Sequence, residues 1–340
     1  MQFSIVIPTF NREKYLRQTI DSALQQDFGD FEILVVDNAS TDGTPELMRQ
    51  YEGHPRLRYV RNERNIGMVG SWRRAVFELL RGDWFMILSD DDYLIRPDYL
   101  QQAATLIAAE PGLKLVYGDG YVLYEGTGEM ALLDLPFSGI VEGTDVFASR
   151  GRVKPQDFTL CNVLFRRDLA LTMNAFSDAN NLSCDTELFL LSCLQGKVGV
   201  VKGAASVYRI HASNLLKTAR VNPQLCNGAL GSLVNPYLAA HRMGRGTSAE
   251  TMRVSSQMDR EIVVTMLKVA CLDYPLYRQA SKALLEQAPV LAGQVMGRMW
   301  FRAAILLCRM FPWLYSAYIG VKDMRATLLR RMRRNGAAGR

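Results

Sequence analysis

No run in the sequence approaches the roughly 18–20 uninterrupted apolar residues that a membrane-spanning helix needs. The longest candidate, Ala303 to Cys308, is bracketed by Arg302 and Arg309. The opening Phe3-Ser-Ile-Val-Ile-Pro8 has neither the basic leader nor the long apolar stretch of a secretory signal. The expected location is therefore cytoplasmic, with a peripheral position on the inner face of the membrane left open. Cysteine is scarce: six in 340 residues, with no CxxC pair, which at this chain size points to free thiols in a reducing compartment. No G-x-G-x-x-G follows the first apolar run, and no G-x-x-x-x-G-K-[ST] occurs anywhere. A dinucleotide fingerprint and a P-loop are thus unsupported. Internal repeats and low-complexity tracts are also missing.

What is present describes an ordinary globular chain. About half of the residues are apolar (49%) and 22% are charged, enough to fill one large domain with an appendage, or two domains. The net charge of +6 is unevenly spread, because Leu329 to Arg340 holds five arginines and no acid. Such an end suits nucleic acid or an anionic membrane. No nucleic-acid module surrounds the arginines, so a nucleic-acid partner is not expected. Met299 to Arg334 adds Trp300, Phe301, Ile305, Leu306, Phe311, Trp313, Leu314 and Tyr318, which fits either an interfacial helix on anionic lipid or a core-packing helix with a basic outer face.

The first hundred residues alternate in period. Phe3–Ile7, Glu32–Val36, Leu57–Val60 and Trp84–Leu88 are short apolar runs suited to strands buried on both faces. Between them, Glu13–Gln26, Thr44–Tyr51 and Gly70–Leu80 carry helical stripes. This order predicts a mostly parallel sheet with right-handed crossovers and helices on its faces. Further on, Leu115–Tyr124 and Met130–Leu133 flank a hairpin, Thr159–Phe165 and Ala204–Ile210 read as strands, and Asp185–Leu194 as a helix. Residues 223–330 read as helical, broken at Pro275, Pro289 and Pro312. The expected division is an α/β unit over 1–218 and a helical C-terminal region over 219–340.

In an open parallel sheet, ligands sit beyond the carboxyl ends of the strands. Those ends read Pro8-Thr-Phe-Asn-Arg12, Asp37-Asn38, Arg61-Asn62 with Asn65-Ile-Gly67, and Ser89-Asp90-Asp91-Asp92. Three adjacent carboxylates repel one another unless a cation sits among them. In extended chain, Asp90 and Asp92 would point one way and Asp91 the other, and such oxygens suit Mg²⁺ or Mn²⁺. A solvated acidic turn is the plainer alternative. Asp37 either meets a nucleoside or merely caps its own turn with Ser40 and Asp42. Thr9, Asn11 and Arg12 line the same expected rim.

Taken in order, Ile5-Val-Ile-Pro-Thr-Phe-Asn-Arg12, Val35-Val-Asp-Asn-Ala-Ser-Thr-Asp-Gly-Thr44, Arg61-Asn-x-x-Asn65-x-Gly67 and Leu88-Ser-Asp-Asp-Asp92 resemble the family-2 glycosyltransferases of the GT-A fold, of the bacterial surface-polysaccharide type. The resemblance covers roughly residues 1–215. It implies that Thr9, Asp37 and Asn65, with Pro8, Asn11 and Arg12, surround a nucleoside. It also implies that Asp90 lies on the ribose side, that Asp92 holds Mn²⁺ or Mg²⁺, and that Asp91 shares one or the other role. The late stretch Tyr208-Arg-Ile-His-Ala-Ser213 is similar to a family motif in which His211 completes the metal or diphosphate site and Arg209 faces the diphosphate. In Ser183-Cys-Asp-Thr-Glu-Leu188, the resemblance makes Asp185 the catalytic base, with Glu187 in reserve. Cys184 stands where the family commonly has an acid. Asp185 could also simply cap its helix.

The function this implies is inverting, metal-dependent transfer of one sugar from a nucleotide-diphosphate donor, a UDP-sugar first, to a glycan or lipid-linked glycan. No QxxRW, the mark of many processive relatives, is found. The alternatives are a sugar-phosphate nucleotidyltransferase, whose glycine-rich loop after strand one is missing here, and a GT-A scaffold without activity.

Overall fold

The computed structural model describes residues 1–134, 136–149, 161–214, 222–244 and 249–310, with the backbone alone for 249–260, 300 and 308. Strands β1 (Phe3–Thr9), β2 (Phe31–Asp37), β3 (Leu57–Arg61) and β4 (Trp84–Ile87) form a parallel group in the order β3-β2-β1-β4. The register sets Thr9 beside Asp37 and Asp37 beside Arg61, so the polar strand ends open on one rim. Residue alternation splits each strand between two cores. Ile5, Ile7, Ile33 and Val35 face helix α1 (Glu13–Leu24) with its Leu16 and Ile20. Val6, Leu34 and Val36 face Val69 and Trp72 of α3 (Met68–Arg74). Each such aliphatic side chain contributes about 1.5–3 kcal/mol by leaving water, and both faces are covered, as a parallel sheet requires. A short α2 (Thr44–Arg49) joins β2 to β3.

The sheet continues through β5 (Tyr93–Leu94), α4 (Tyr99–Ala109), β6 (Leu115–Tyr124), β7 (Glu129–Leu133), β8 (Gly139–Glu142), α5 (Gly143–Ser149), β9 (Leu164–Arg166), α6 (Arg167–Thr172), α7 (Cys184–Leu194) and β10 (Lys197–Ile210). Its order runs on as β4-β9-β6-β10-β5. The β9 strand is antiparallel to both neighbours, which makes the sheet mixed. The GT-A-like α/β architecture expected from the motifs is the one observed.

Among the described residues, everything beyond Asn214 that is regular is helical: α8 (Pro223–Gly228), α9 (Gly231–Arg242), α10 (Ala249–Leu272), α11 (Tyr274–Gln287), α12 (Pro289–Met296) and α13 (Met299–Met310). Asn222 caps α8 by accepting from Gln224 N at 3.0 Å, and Asp273 caps α11 by accepting from Leu276 N at 2.9 Å. Pro275 and Pro289 fall in first turns, where a missing N–H costs nothing. Ile262, Met266, Leu291 and Phe301 join the same apolar core as Val6 and Trp72, so these helices close one face of the sheet. No single described helix is long and apolar enough to cross a membrane. One pair, Pro289–Met296 with Phe301–Leu307, is apolar enough together but bends by 71°.

Several expectations are corrected. The helix expected over Gly70–Leu80 is an α-helix that widens into a π-helical turn at Ala75–Leu79, a change of hydrogen-bond step that leaves side-chain periodicity nearly intact. The final strand begins at Lys197, not Ala204, and absorbs its irregularity in a register shift between Val201 and Ser206. Of the strand expected over Thr159–Phe165, residues 159 and 160 lie outside the described residues, and the ladder itself begins at Leu164. Cys161, Cys184, Cys193 and Cys226 are buried thiols. Cys271 is disulfide-bonded, against the free-thiol reading; the scattered spacing of the cysteines carried no sign of it.

Candidate functional site

The loops after β1 and β2 are tied to each other. Asn11 adopts φ +54 and Ala39 φ +66, left-handed conformations that cost non-glycine residues energy. In return the Asn11 side chain accepts from Thr41 N at 2.7 Å, and Asn11 N donates to Ser40 Oγ at 2.9 Å. Asp37 is fully buried. Its Oδ1 accepts from Ser40 N at 2.8 Å, closing the turn, while its Oδ2 accepts from the Tyr59 hydroxyl at 2.7 Å and lies 3.3 Å from Arg61 Nε. Burial, then this hydrogen bond to Asp37, pushes the Tyr59 phenol up. Beside it, Asn38 donates to Asn65 Oδ1 at 2.8 Å and accepts from Asn62 and Ile66 N, so the third strand end is laced to the second. Pro8 and Thr9 complete this rim at the end of β1.

The acidic triplet is a turn, not extended chain: Asp92 N donates to Ser89 O at 3.0 Å. The simple alternation of side chains expected from strand geometry therefore fails, since β4 has already ended. Thr19 of α1 holds this turn from below, donating to both Asp90 O (2.9 Å) and Asp92 O (2.7 Å). Each carboxylate goes its own way. Asp90 accepts from Phe10 N at 3.4 Å, and Asp92 accepts from Arg209 N at 2.8 Å. Asp91 meets His211 Nε2 at 2.8 Å. Because Ser213 N donates to His211 Nδ1 at 3.3 Å, the ring proton sits on Nε2 and is donated to Asp91. The ring also stacks on Tyr15 at 4.9 Å. The structure thus joins His211 to Asp91 rather than to Asp92. The Arg209 guanidinium lies 4.8 Å from the Tyr15 ring and donates to Asp91 O and Gln18, so it is occupied behind the triplet. Arg12 donates to Ser213 Oγ and O at 2.7 and 2.6 Å, bridging the first and last loops of the rim.

Electrostatics set this corner apart. Burial, then the charge of Asp91, pushes Asp90 up to about 7. The same two causes raise Asp92 well above the usual carboxylate range. The buried Thr9 hydroxyl lies close enough to ease the charge on Asp90. Among the described residues, Asp90 and Asp92 have no ion-pair partner, and no three His, Cys, Asp or Glu side chains form a ready-made metal cage. A donor set of one or two crowded, desolvated carboxylates matches what Mg²⁺ or Mn²⁺ takes from a protein when substrate phosphates supply further oxygens. Asp92 would hold such an ion, with Asp90 alongside.

A pH dependence follows. The folded-state value of Asp90, about 7, stands above the ordinary value near 3.9. The folded protein therefore holds the extra proton between those limits, and the stability this contributes is lost as pH rises through about 7. A divalent cation competes with that proton. The thermal shift produced by Mn²⁺ is expected to be clearly larger at pH 8 than at pH 6. Equal shifts at both values would separate the cation from these carboxylates.

Asp185 stands in the first turn of α7, half-buried, accepting from Thr186 N at 2.6 Å. Burial pushes it up to about 6. Burial first, then the charges of Asp92 and Asp91, raise the Tyr208 hydroxyl, with Cys161 and then Asp185 as smaller causes. Glu187 projects elsewhere, held by Asn181 and Asn235 at 2.6 Å each. Sequence reading passed over Thr19, Tyr15 and Tyr59. Only Tyr59, two residues before the noted Arg61 on the same face of β3, had a local signal.

Residues 4–171 match the family model described as Glycosyl transferase family 2. The chain is 29% identical over 195 residues to the poly(ribitol-phosphate) beta-N-acetylglucosaminyltransferase TarS of Staphylococcus aureus, a match covering 54% of this chain and 34% of that protein. The chain thus spans about a third of that relative's length. The fold is shared with S. aureus TarS 1–349, solved in complex with UDP-GlcNAc (TM-score 0.58, 17% identity, 88% of this chain and 93% of that one). It is also shared with the mannosyltransferase PcManGT from Pyrobaculum calidifontis, solved with GDP-Man and Mn²⁺ (TM-score 0.51, 15% identity, 95% and 87%).

Proposed function

Since this chain belongs to glycosyl transferase family 2, we propose that it moves a single sugar from a nucleoside-diphosphate sugar, a UDP-sugar first, to a hydroxyl of a glycan or lipid-linked glycan, with inversion. The observation that carries this reading is the pair of buried, crowded carboxylates Asp90 and Asp92 on the same rim as the Asp37–Tyr59 corner. Fold relatives solved with UDP-GlcNAc and with GDP-Man and Mn²⁺ support it.

In this reading the loops after β1, β2 and β3 receive the nucleoside, and Arg12 fixes the last loop of the rim against the first. Thr19 and Arg209 N–H hold the acidic turn at a set distance from the sheet. A divalent ion on Asp92 and Asp90, when bound, would neutralise the diphosphate as it departs. Asp185 takes the proton of the attacking hydroxyl. One displacement at the anomeric carbon with one base inverts configuration.

The test is a thermal-shift screen of uridine, guanosine and thymidine diphosphate sugars with and without Mn²⁺. One nucleotide series is expected to raise Tm, and only with the cation. No shift from any of them would end the proposal, and a shift from nucleoside triphosphate alone would favour nucleotidyl transfer.

We also propose contact with an anionic membrane on its cytoplasmic side. Met299, Leu306 and Met310 are exposed on α13 beside the exposed Arg302 and Arg309, and residues 311–340 carry seven basic side chains against one acid. Each basic side chain near such a surface is worth about 1 kcal/mol. Replacing Arg302 and Arg309 together by Glu in the full chain is therefore expected to weaken flotation with phosphatidylserine vesicles by about thirtyfold or more. Unchanged flotation would remove the membrane from the account.

A further inference from the structure

A cavity outside the rim lies on the other flank of α7. It offers about 80 Å³ to water centres, several times the roughly 10–15 Å³ that one water needs. Cys184, Glu187, Leu188 and Leu191 line it, a stripe at helical spacing. Asp185 points about 100° further round the helix, so the cavity flanks the base without containing it.

Its opposite wall comes from the C-terminal helices. Asn235 and Gly231 of α9 face Asn181 and Glu187, and a methyl group added at Gly231 would stand 3.5 Å from Asn181 Nδ2, 3.6 Å from Asn235 Nδ2 and 3.8 Å from Glu187 Oε2. Asn181 and Asn235 each donate one hydrogen to the half-buried Glu187 carboxylate at 2.6 Å, which leaves each amide a second N–H and the carboxylate spare lone pairs. The third wall is the segment after α6. Asn174 and Phe176 hold φ +50 and +60 there. The segment is anchored by Arg73 donating to Ala175 O at 2.9 Å and by Phe176 meeting Trp72 edge-on at 5.9 Å. Both anchors belong to α3, whose start follows the Asn65 loop of the rim.

The chemistry of the lining selects a ligand. Ser177, Asp178, Asn181, Glu187 and Asn235 offer carboxylates, amides and a hydroxyl, Phe176 and Leu188 supply apolar surface, and among the described residues no lysine, arginine or histidine lines the cavity. Two acids without a cation repel phosphates and other anions. A neutral ring rich in hydroxyl donors, with one apolar face, satisfies them.

We infer that this cavity binds one neutral sugar unit of the acceptor, next to but not including the unit whose hydroxyl reacts. The inference rests on the glycosyltransferase reading and narrows it to acceptors at least two sugar units long. Binding energy from such a remote unit helps hold the acceptor in place before transfer.

The experiment is saturation-transfer NMR on the full chain with methyl glycosides of glucose, galactose, N-acetylglucosamine and N-acetylgalactosamine as probes. Parallel thermal shifts with UDP and Mn²⁺ report the donor site. The variants are Gly231→Leu, which fills the cavity, and Asn235→Ala, which removes an exposed amide and spares folding. At least one glycoside is expected to receive saturation with the wild type. That signal should be lost with Gly231→Leu and reduced severalfold with Asn235→Ala, while the UDP shift is unchanged in both. No transfer to any glycoside, or equal transfer in the wild type and Asn235→Ala, overturns the sugar site. Either result can occur with the UDP shift intact, so failure here is distinct from failure of the donor reading.

Discussion

Asp185→Asn is expected to lower turnover by about two to four orders of magnitude, the usual worth of a positioned general base, with donor affinity little changed. The substitution is nearly isosteric, and the hydrogen bonds on the side chain come from Thr186 N and Oγ1, which an amide oxygen accepts equally well. Folding should therefore survive. What disappears is the ability to take a proton. The wild-type carboxyl is pushed up to about 6 by burial, against the lowering effect of Thr186. Below pH 6 the base is progressively protonated, and kcat/KM should fall about tenfold per pH unit. Glu187→Gln, on the cavity flank, should raise the acceptor KM without this loss in kcat. Full turnover in Asp185→Asn would move the base elsewhere.

Asp92→Asn is expected to split stability from function. Asp92 is 1% exposed, and its charge is opposed by burial, Asp91 and Asp90 together. An amide removes that repulsion and can still accept from Arg209 N, so Tm without cation should rise or hold. The Mn²⁺-induced shift should vanish, and kcat/KM should drop by about a hundredfold or more, the scale of losing electrostatic stabilisation of a leaving group. Differential scanning calorimetry with and without Mn²⁺, set beside initial rates, measures both halves. A variant that loses stability and keeps its cation response would show that Asp92 is structural.

Much of the site was readable along the chain because parallel strands put their carboxyl ends on one side. Four polar strand ends, at Thr9, Asp37, Arg61 and Asp90, needed only the short apolar runs before them to be found. The contacts between those ends were not readable. Nothing local marks Thr19 as the donor to two carbonyls some seventy residues away, or pairs His211 with Asp91 across 120 residues. The turn at Ser89–Asp92 was hidden because a strand end and a turn share the same letters until the hydrogen bonds are known. Short elements such as β5 and β8 escaped for a related reason. Strands of two and four residues carry too few positions for a period to show, and their pairing with β10 is decided by tertiary packing. The cavity beside α7 depends on Asn235 arriving from a helix that carries no family motif.

The most direct measurement is the anomalous scattering of manganese in crystals of the full chain grown with Mn²⁺ and a uridine diphosphate sugar. The account predicts one strong peak within coordination distance of the Asp92 carboxylate, in contact with the diphosphate and facing Asp185. A peak only at other carboxylates, or nucleotide bound away from the Asp37–Asp90 rim, would contradict it.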